Sequence, residues 1–580
     1  MDIFMVLALL GGLAFFLYGM TAMSNGLEKM AGSKLEVILR KLTSNKFKGL
    51  ILGIGVTAVI QSSSAVTVML VGLVNSGVMK FSQAISVIMG SNIGTTMTAW
   101  LLSLTGIESS NVFLSLLKPI NFSTILAFVG IVLIMAAKSE KKRDMGSIFI
   151  GFAILMFGMN MMSDAVEPLA DMPQFTSLLT AFSNPILGVL VGTIFTAVIQ
   201  SSSASVGVLQ ALSMTGALTY GSVVPVIMGQ NIGTCVSALL ASLGTNKNAK
   251  RVAIVHVLFN FIGTVVFLCI WTVATSIFDI ALVNEVVKPH NIAIVHSIFN
   301  FSATILLFPF IGVLEKLACI IIKDTDEKEQ KVLLDDRLMT VPSVAVGKAF
   351  DVTVKMSGHA RDAVTKALSL FDKYDQKIAD EVVKLEGKTD HYEDELSNYL
   401  LKLSALELPE HDENSVSKML HTINDFERIG DHAMNLGDVA KEIHTKQINF
   451  SDGANTELQT LYRALSDILS TTISAFEKND VSMAKTVEPL EDVIDTLVLE
   501  IKNRHIKRLR AGNCTIEIGF ILTDLLTNIE RISDHCSNIA VAVIEADLGS
   551  FESHEYLDNL KHTSVEFASN YDKLLKEYAI

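Results

Sequence analysis

Thr57-Ala58-Val59-Ile60-Gln61-Ser62-Ser63-Ser64-Ala65 returns unchanged as Thr196-Ala197-Val198-Ile199-Gln200-Ser201-Ser202-Ser203-Ala204. Both copies lie in charge-free surroundings: residues 52–79 and 185–244 contain no Asp, Glu, Lys or Arg. Four consecutive polar side chains in hydrocarbon are costly unless something pairs with them. The same four occurring twice point to a bound polar ligand rather than to an accident of packing.

An ungapped offset of 139 residues relates the copies and reaches well beyond them. Gly19-Met20 returns as Gly158-Met159, Val87-Ile88-Met89-Gly90 as Val226-Ile227-Met228-Gly229, and Asn92-Ile93-Gly94-Thr95 as Asn231-Ile232-Gly233-Thr234. The chain therefore holds a duplicated unit, about 3–105 and about 146–244.

Of the 580 residues, half are hydrophobic, and they are unevenly spread. Residues 1–322 form a series of apolar runs near the bilayer-spanning length of about 20 residues. Further apolar helices are expected at 252–277 and 291–311. Residues 323–343 read as a linker, and 344–580 as a charged, helix-forming soluble domain. The first apolar run lacks a basic flank and reads as a membrane helix rather than a cleaved signal. The net charge of −14 argues against nucleic acid as a partner. The five cysteines are scattered with no Cys-x-x-Cys pair, so they are expected to form neither a disulfide frame nor a zinc site.

Basic residues set the orientation. The link after the first helix carries Lys29, Lys34, Arg40, Lys41, Lys46 and Lys48, whereas the matching link 164–184 carries Asp164, Glu167 and Asp171 with no Lys or Arg. Equivalent links of opposite charge belong on opposite sides of the membrane, so the two repeats are expected to be inverted. If residues 49–78 crossed once, the basic run Lys138–Arg143 would fall outside. A re-entrant hairpin with its tip at the serines keeps that run inside, and each half of such a hairpin is too short to span. The expectation is seven crossings, two re-entrant hairpins, and two helices broken at Gly90–Thr95 and Gly229–Thr234, where paired glycines flank an Asn. Lys247, Lys250 and Arg251 then fall inside, as does the C-terminal domain.

Hydroxyls, amides and helix ends would meet near the midplane. Half-helix N-termini suit an oxyanion, and Gln, Ser, Thr and carbonyl oxygens suit Na⁺. With no Lys or Arg in the serine segments, a buried oxyanion needs a cation that enters with it. The composition thus points to cation–anion cotransport. Close helix packing by Ser and Gly is the bland alternative.

The doubled Gln-Ser-Ser-Ser motif with its Gly-Ser-Asn-Ile-Gly-Thr follower resembles the type II sodium–phosphate cotransporters over nearly all of 1–320. The resemblance implies Na⁺-driven movement of inorganic phosphate. On that resemblance the two serine motifs, Gln61, Ser62, Ser63 and Ser64 with Gln200, Ser201, Ser202 and Ser203, would bind phosphate and sodium, and the expected breaks add Asn92, Thr95, Asn231 and Thr234 to the candidate site. The family's Val-His-Asp-x-Phe-Asn stretch is matched by Val255-His256-Val257-Leu258-Phe259-Asn260 and again by Val295-His296-Ser297-Ile298-Phe299-Asn300. The Asp that serves an extra sodium in electrogenic members is thus Val257 or Ser297 in this chain.

The soluble part is duplicated as well. Leu385-Glu386-x-x-x-Asp390 pairs with Leu490-Glu491-x-x-x-Asp495, and Glu427-Arg428-Ile429-Gly430-Asp431-His432 pairs with Glu530-Arg531-Ile532-Ser533-Asp534-His535. Helical periodicity places helices at roughly 345–373, 376–405, 410–446, 454–478, 481–510, 514–547 and 555–576. Glu and Asp at i, i+4 share a helix face, either as a solvated acidic surface or as hard-metal ligands: Glu386, Asp390, Glu427, Asp431, Glu491, Asp495, Glu530 and Asp534. The two Glu-Arg-Ile-Gly/Ser-Asp-His strings resemble PhoU, the six-helix phosphate-signalling protein. This implies metal binding (Fe, Zn, Mg or another ion) and regulation of phosphate transport.

The fold class expected is thus all-α: a polytopic domain of two inverted repeats with re-entrant hairpins and broken helices, then a PhoU-like six-helix domain. A multi-pass protein of the cell inner (plasma) membrane, in contact with membrane lipid, would have its C-terminal domain in the cytoplasm. It would not be an enzyme, since no nucleophile–base pair stands out. A phosphate exporter or a membrane-anchored phosphate sensor is the alternative, and a homodimer and phosphate-signalling proteins are candidate partners.

Overall fold

The computed structural model describes residues 3–31, 45–104, 119–169, 184–278, 280–323, 333–548 and 565–580. Lys34, Arg40, Lys41 and Asp171 of the orientation argument lie outside the described residues. Every regular element described is a helix, and an isolated antiparallel bridge pairs Thr219 with Val286. The chain divides into two compact units, Met1–Val344 and Ala345–Ile580.

In the first unit α1 (Ile3–Ala31) is followed by α2 (Lys46–Ile60), α3 (Ser63–Asn75) and α4 (Phe81–Ser103). After α5 (Pro119–Ala136) and α6 (Glu140–Val166), the pattern repeats with α7 (Pro185–Ile199), α8 (Ser202–Ser213) and α9 (Tyr220–Ala241). α10 (Lys247–Ile277), α11 (Pro289–Leu307) and α12 (Ile311–Ile321) complete the unit. Among the described residues, six helical runs are long and apolar enough to cross a membrane: α1, α4, α6, α9, α10 and α11–α12. From sequence, seven crossings are expected; the described part of α5 falls among the shorter apolar helices.

Each serine motif turns the chain back on itself. α2 climbs beside α4, with Gly53 against the Val87 carbonyl and Gln61 level with Thr98. α3 then returns, and Asn75 ends it a few residues before α4 begins. α7 climbs beside α9 in the same way, with Gly192 against the Val226 carbonyl. α1 packs on α6 through Phe16, Met23, Leu155, Met156 and Met159, all buried.

The expected breaks at Gly90–Thr95 and Gly229–Thr234 are absent: α4 and α9 run through them unbroken. The glycines serve contact instead. A Cβ on Gly90 would lie 2.0 Å from the Leu50 carbonyl oxygen, and one on Gly229 would lie 2.0 Å from that of Val189. Backbone approach that close is open only to glycine. The pair that reads as a helix breaker is therefore the seat of the neighbouring hairpin arm.

In the second unit, the first half comprises α13 (Pro342–Asp372), α14 (Gln376–Ser404) and α15 (Glu410–Lys446). The second comprises α16 (Asp452–Lys478), the short α17 (Val481–Ala484), α18 (Val487–Arg510) and α19 (Ile516–Leu548). The helix expected over 481–510 is split before Val487. Pro489 has no N–H and its ring crowds the carbonyl four residues back, so the new helix starts with Pro489 in its first turn. α20 (Val565–Glu577) follows; the start of the helix expected at 555–576 lies outside the described residues. Phe426 meets Phe476 edge-on at 5.2 Å, and Phe350 stacks on Phe476 at 5.6 Å, which ties α13, α15 and α16 into one core.

Candidate functional site

The two hairpin tips are built alike. Gln61 has φ 57° and Gln200 φ 58°, both left-handed, which is uncommon for a side chain larger than Asn. Each closes the preceding helix, with the Gln61 N–H donating to the Thr57 carbonyl and the Gln200 N–H to that of Thr196, both at 2.7 Å. The next residue caps the following helix: the Ser62 hydroxyl accepts from the Ala65 N–H and the Ser201 hydroxyl from the Ala204 N–H, both at 3.2 Å. α3 and α8 therefore start at serine, and their free N–H groups point at the tip. The tips are adjacent, since the Ser64 hydroxyl donates to the Gln200 carbonyl at 3.4 Å.

Behind the tips lie the Asn residues of α4 and α9. Asn92 donates to the Asn260 side-chain oxygen at 3.3 Å, and Asn231 to that of Asn300 at 3.1 Å. Asn260 and Asn300 in turn donate to the carbonyls of His256 and His296 at 3.0 and 2.9 Å. Thr57 donates to Ser91 and Thr196 to Ser205, each at 2.8 Å. The Thr95 and Thr234 hydroxyls donate to their own helices, at the Ser91 and Gln230 carbonyls. Ser63, Asn92, Thr95, Ser202, Ser203, Asn231 and Thr234 are buried, and Ser62, Ser64 and Ser201 half-buried. Sequence reasoning missed Thr98, Asn260 and Asn300 as members of this network; the recurrence of Phe-Asn in both Val-His strings was the available signal. Ser297, in the position of the family Asp, accepts from the Trp100 indole N–H at 2.9 Å.

The symmetry is imperfect. The Thr98 hydroxyl donates to the Gln61 side-chain oxygen at 2.7 Å, and Gln61 is buried. Ser237, in the equivalent place on α9, donates to the Thr234 carbonyl instead, and Gln200 is exposed. A cavity of about 600 Å³ opens onto Gln61 between Ala58, Trp100, Ser103 and His290.

In the second unit Glu491, Asp495 and Asp534 place carboxylate oxygens within 4.8 Å of one another. Burial, with Glu530 adding to it, raises the Asp534 carboxyl above the usual range. Glu530 is 3.4 Å from Lys502. In the first half Glu386 is raised by burial and then by Asp431 and Asp390, while Glu427 is pushed up to about 7 by burial and then by Asp431. Arg428 lies 3.4 Å from Asp431 and 3.5 Å from Glu427. The motif histidines join the halves: His432 bonds Asn528 at 2.9 Å and His535 bonds Asp425 at 2.8 Å, in crossed, equivalent pairs. Asn538 also donates to Asp425, at 3.2 Å.

Paired hairpins in a helical membrane unit are followed by a duplicated helical bundle. The Na⁺/Pi-cotransporter family model matches residues 15–164 and 154–283, and the PhoU domain model matches 353–440 and 458–543. YqeW, an uncharacterized protein of Bacillus subtilis, is 31% identical over 45% of this chain and 81% of its own length. The Escherichia coli K12 protein named "Putative inorganic phosphate export protein YjbB" is 23% identical over 93% of this chain and 97% of its own. A PhoU crystal structure from Pseudomonas aeruginosa aligns with a TM-score of 0.34 and 19% identity, covering 35% of this chain and 98% of that one. The chain belongs to the Na⁺/Pi-cotransporter family and carries a PhoU domain after the cotransporter region. It is a membrane protein of phosphate transport.

Proposed function

We propose that the chain moves inorganic phosphate across the cell membrane together with Na⁺ by alternating access, through one site shared by the two hairpin tips. The observation that carries this reading is the contact of the Ser64 hydroxyl with the Gln200 carbonyl at 3.4 Å. It places two serine-capped helix N-termini side by side, where residues 52–79 and 185–244 supply no charged side chain. An oxyanion there takes N–H and hydroxyl donors from Ser62–Ser64 and Ser201–Ser203. Its charge is met by sodium on the oxygens of Gln61, Asn92, Thr95, Gln200, Asn231 and Thr234. The repeats sit inverted in the membrane, and the second unit regulates transport from the cytoplasm. The family description supports sodium as the coupled ion, and the name of the E. coli relative supports the export direction, which the same site serves when gradients reverse.

The test is uptake of radiolabelled phosphate by the full chain in proteoliposomes. An inward Na⁺ gradient is expected to raise the initial rate at least about tenfold. Equal flux without sodium would remove the coupling. Phosphate binding with no flux under any gradient would favour a sensor.

The acidic groups of the second unit, Glu386, Asp390, Glu427 and Asp431 with Glu491, Asp495, Glu530 and Asp534, are proposed to hold a hard cation. Their all-carboxylate donor set fits Mg²⁺, or iron, better than Zn²⁺, which draws on Cys and His. Glu427, with a pKa near 7, remains largely protonated below that pH. A cation takes the carboxylate and releases the proton, so affinity falls as pH drops through 7. The same raised pKa means that the folded state binds more protons than the unfolded one between the ordinary carboxylate range and 7. Stability in this window therefore falls with rising pH. Titrating the full chain with Mn²⁺ is expected to give about fivefold weaker binding at pH 6 than at pH 7, with Glu427→Gln flattening that slope. Mn²⁺ binding that is pH-independent in the wild type contradicts the assignment.

A further inference from the structure

The segment after the last membrane helix reads as a charged tether, but its described end is built into the first unit. Residues Asp336–Thr340 form a 3₁₀ turn that leads directly into α13. Before the turn, the Asp335 side chain is 1% exposed. It accepts from the Asn75 side chain at 2.5 Å, at the foot of the return arm α3. Asn75 holds the start of α10 as well: its side-chain oxygen accepts from the Asn246 N–H at 2.8 Å, and its carbonyl from the Asn246 side chain at 2.9 Å. Arg337 pairs with Asp335 at 3.1 Å and donates to two carbonyls where α9 ends, at Ala241 (2.5 Å) and Leu243 (2.8 Å). Leu338 is fully buried, and Gly72 leaves room for it: a Cβ there would sit 3.0 Å from Leu338 Cδ2 and 3.3 Å from Arg337 Cβ.

A buried carboxylate persists only when it is paired and hydrogen-bonded. Here its partners come from different repeats: Asn75 from the first hairpin, and the end of α9, through Arg337, from the second repeat. In the second repeat the residue matching Asn75 is Met214, and the return arm α8 is held differently, with the Gln210 side chain donating to the Ala99 and Pro289 carbonyls at 3.0 and 3.1 Å. The strap thus fixes the base of the first hairpin, whose other end presents Ser62–Ser64. It leads without a break into the first helix of the second unit.

We infer that Asp335 and Arg337 are positioning residues: they clamp the return arm of the first hairpin to the second repeat, and the start of α13 acts on the phosphate site by tightening or releasing that clamp. The transport part of this inference rests on the function proposed above; the structural part does not.

The experiment uses the full chain in nanodiscs, with hydrogen exchange read peptide by peptide. Asp335→Ala and Arg337→Ala are expected to raise exchange in residues 63–75 and 241–246 at least about tenfold. Asp335→Asn still offers Asn75 an acceptor and is expected to stay within about threefold of wild type. Gly72→Val, which crowds Leu338 and the Arg337 Cβ while leaving the polar atoms of the clamp unchanged, is expected to loosen the same peptides. In proteoliposomes Asp335→Ala is expected to raise the phosphate KM about tenfold with kcat held within about twofold, and Asp335→Asn to restore it. Unchanged exchange in both alanine variants overturns the clamp, as does uniform loosening of all helices. A fall in kcat at constant KM overturns its link to the site. Should the wild type show no uptake at all, the transport reading fails while the exchange data still decide the clamp.

Discussion

Gly90→Val and Gly229→Val are each expected to lower the melting temperature of the purified protein by roughly 6 °C or more and to cut the yield of monodisperse material sharply. Each new Cβ would stand 2.0 Å from a backbone carbonyl oxygen, of Leu50 or of Val189. A carbonyl within a helix cannot swing aside as a side-chain tip can. Either the hairpin arm must leave α4 or α9, or those helices must bend. Overpacking of this kind costs about 3 kcal/mol or more. Gly55, on the same arm as Leu50, has open space where its Cβ would go, so Gly55→Ala is the matched control and is expected to be neutral or slightly stabilising. If all three variants melt alike, the seat is far softer than the packing implies.

Ser62→Ala and Ser201→Ala carry the second large effect. Each removes a helix cap, worth about 1 kcal/mol, and on the proposed reading also a donor to a bound oxyanion, worth about 2 kcal/mol. The lost donor corresponds to about a thirtyfold fall in kcat/KM for phosphate, and the lost cap to a lower melting temperature. Gln61 separates side chain from backbone. Gln61→Gly keeps the left-handed turn at no steric cost but loses the amide that Thr98 holds. Gln61→Ala loses the amide and strains the turn as well. Transport lost in both variants assigns the role to the amide. Full activity in Gln61→Gly would mean that this residue serves only the turn.

The duplicated serine motif and the hairpins were legible because they rest on local quantities: identical strings, absence of charge, and runs too short to span. The unbroken course of α4 and α9 was not legible. Paired glycines in an apolar helix read equally well as a hinge or as a place of contact, and only the position of the Leu50 and Val189 carbonyls decides between them. The Asn92–Asn260 bond joins residues far apart in sequence, and no periodicity announces such a pair. Asp335 escaped for the same reason, because a charged residue in a charged stretch looks solvated until Asn75 is placed beside it. In the second unit the offset that pairs the two Glu-Arg-Ile strings also pairs Asp425 with Asn528, but the crossed bonds to His535 and His432 become visible only once α15 and α19 lie together.

A protein assembled from two copies of one unit begins with a degeneracy. If the copies were identical and inverted, the states open to either side of the membrane would be related by a two-fold axis in the membrane plane and equal in energy. One methyl group distinguishes Thr98 from Ser237, and the two hydroxyls part ways: Thr98 holds the Gln61 side chain at one tip, whereas Ser237 turns to its own helix at the Thr234 carbonyl. On the proposed reading, that small inequality lifts the degeneracy. It gives the empty carrier a preferred resting side and sets, before any ligand arrives, which compartment is sampled first.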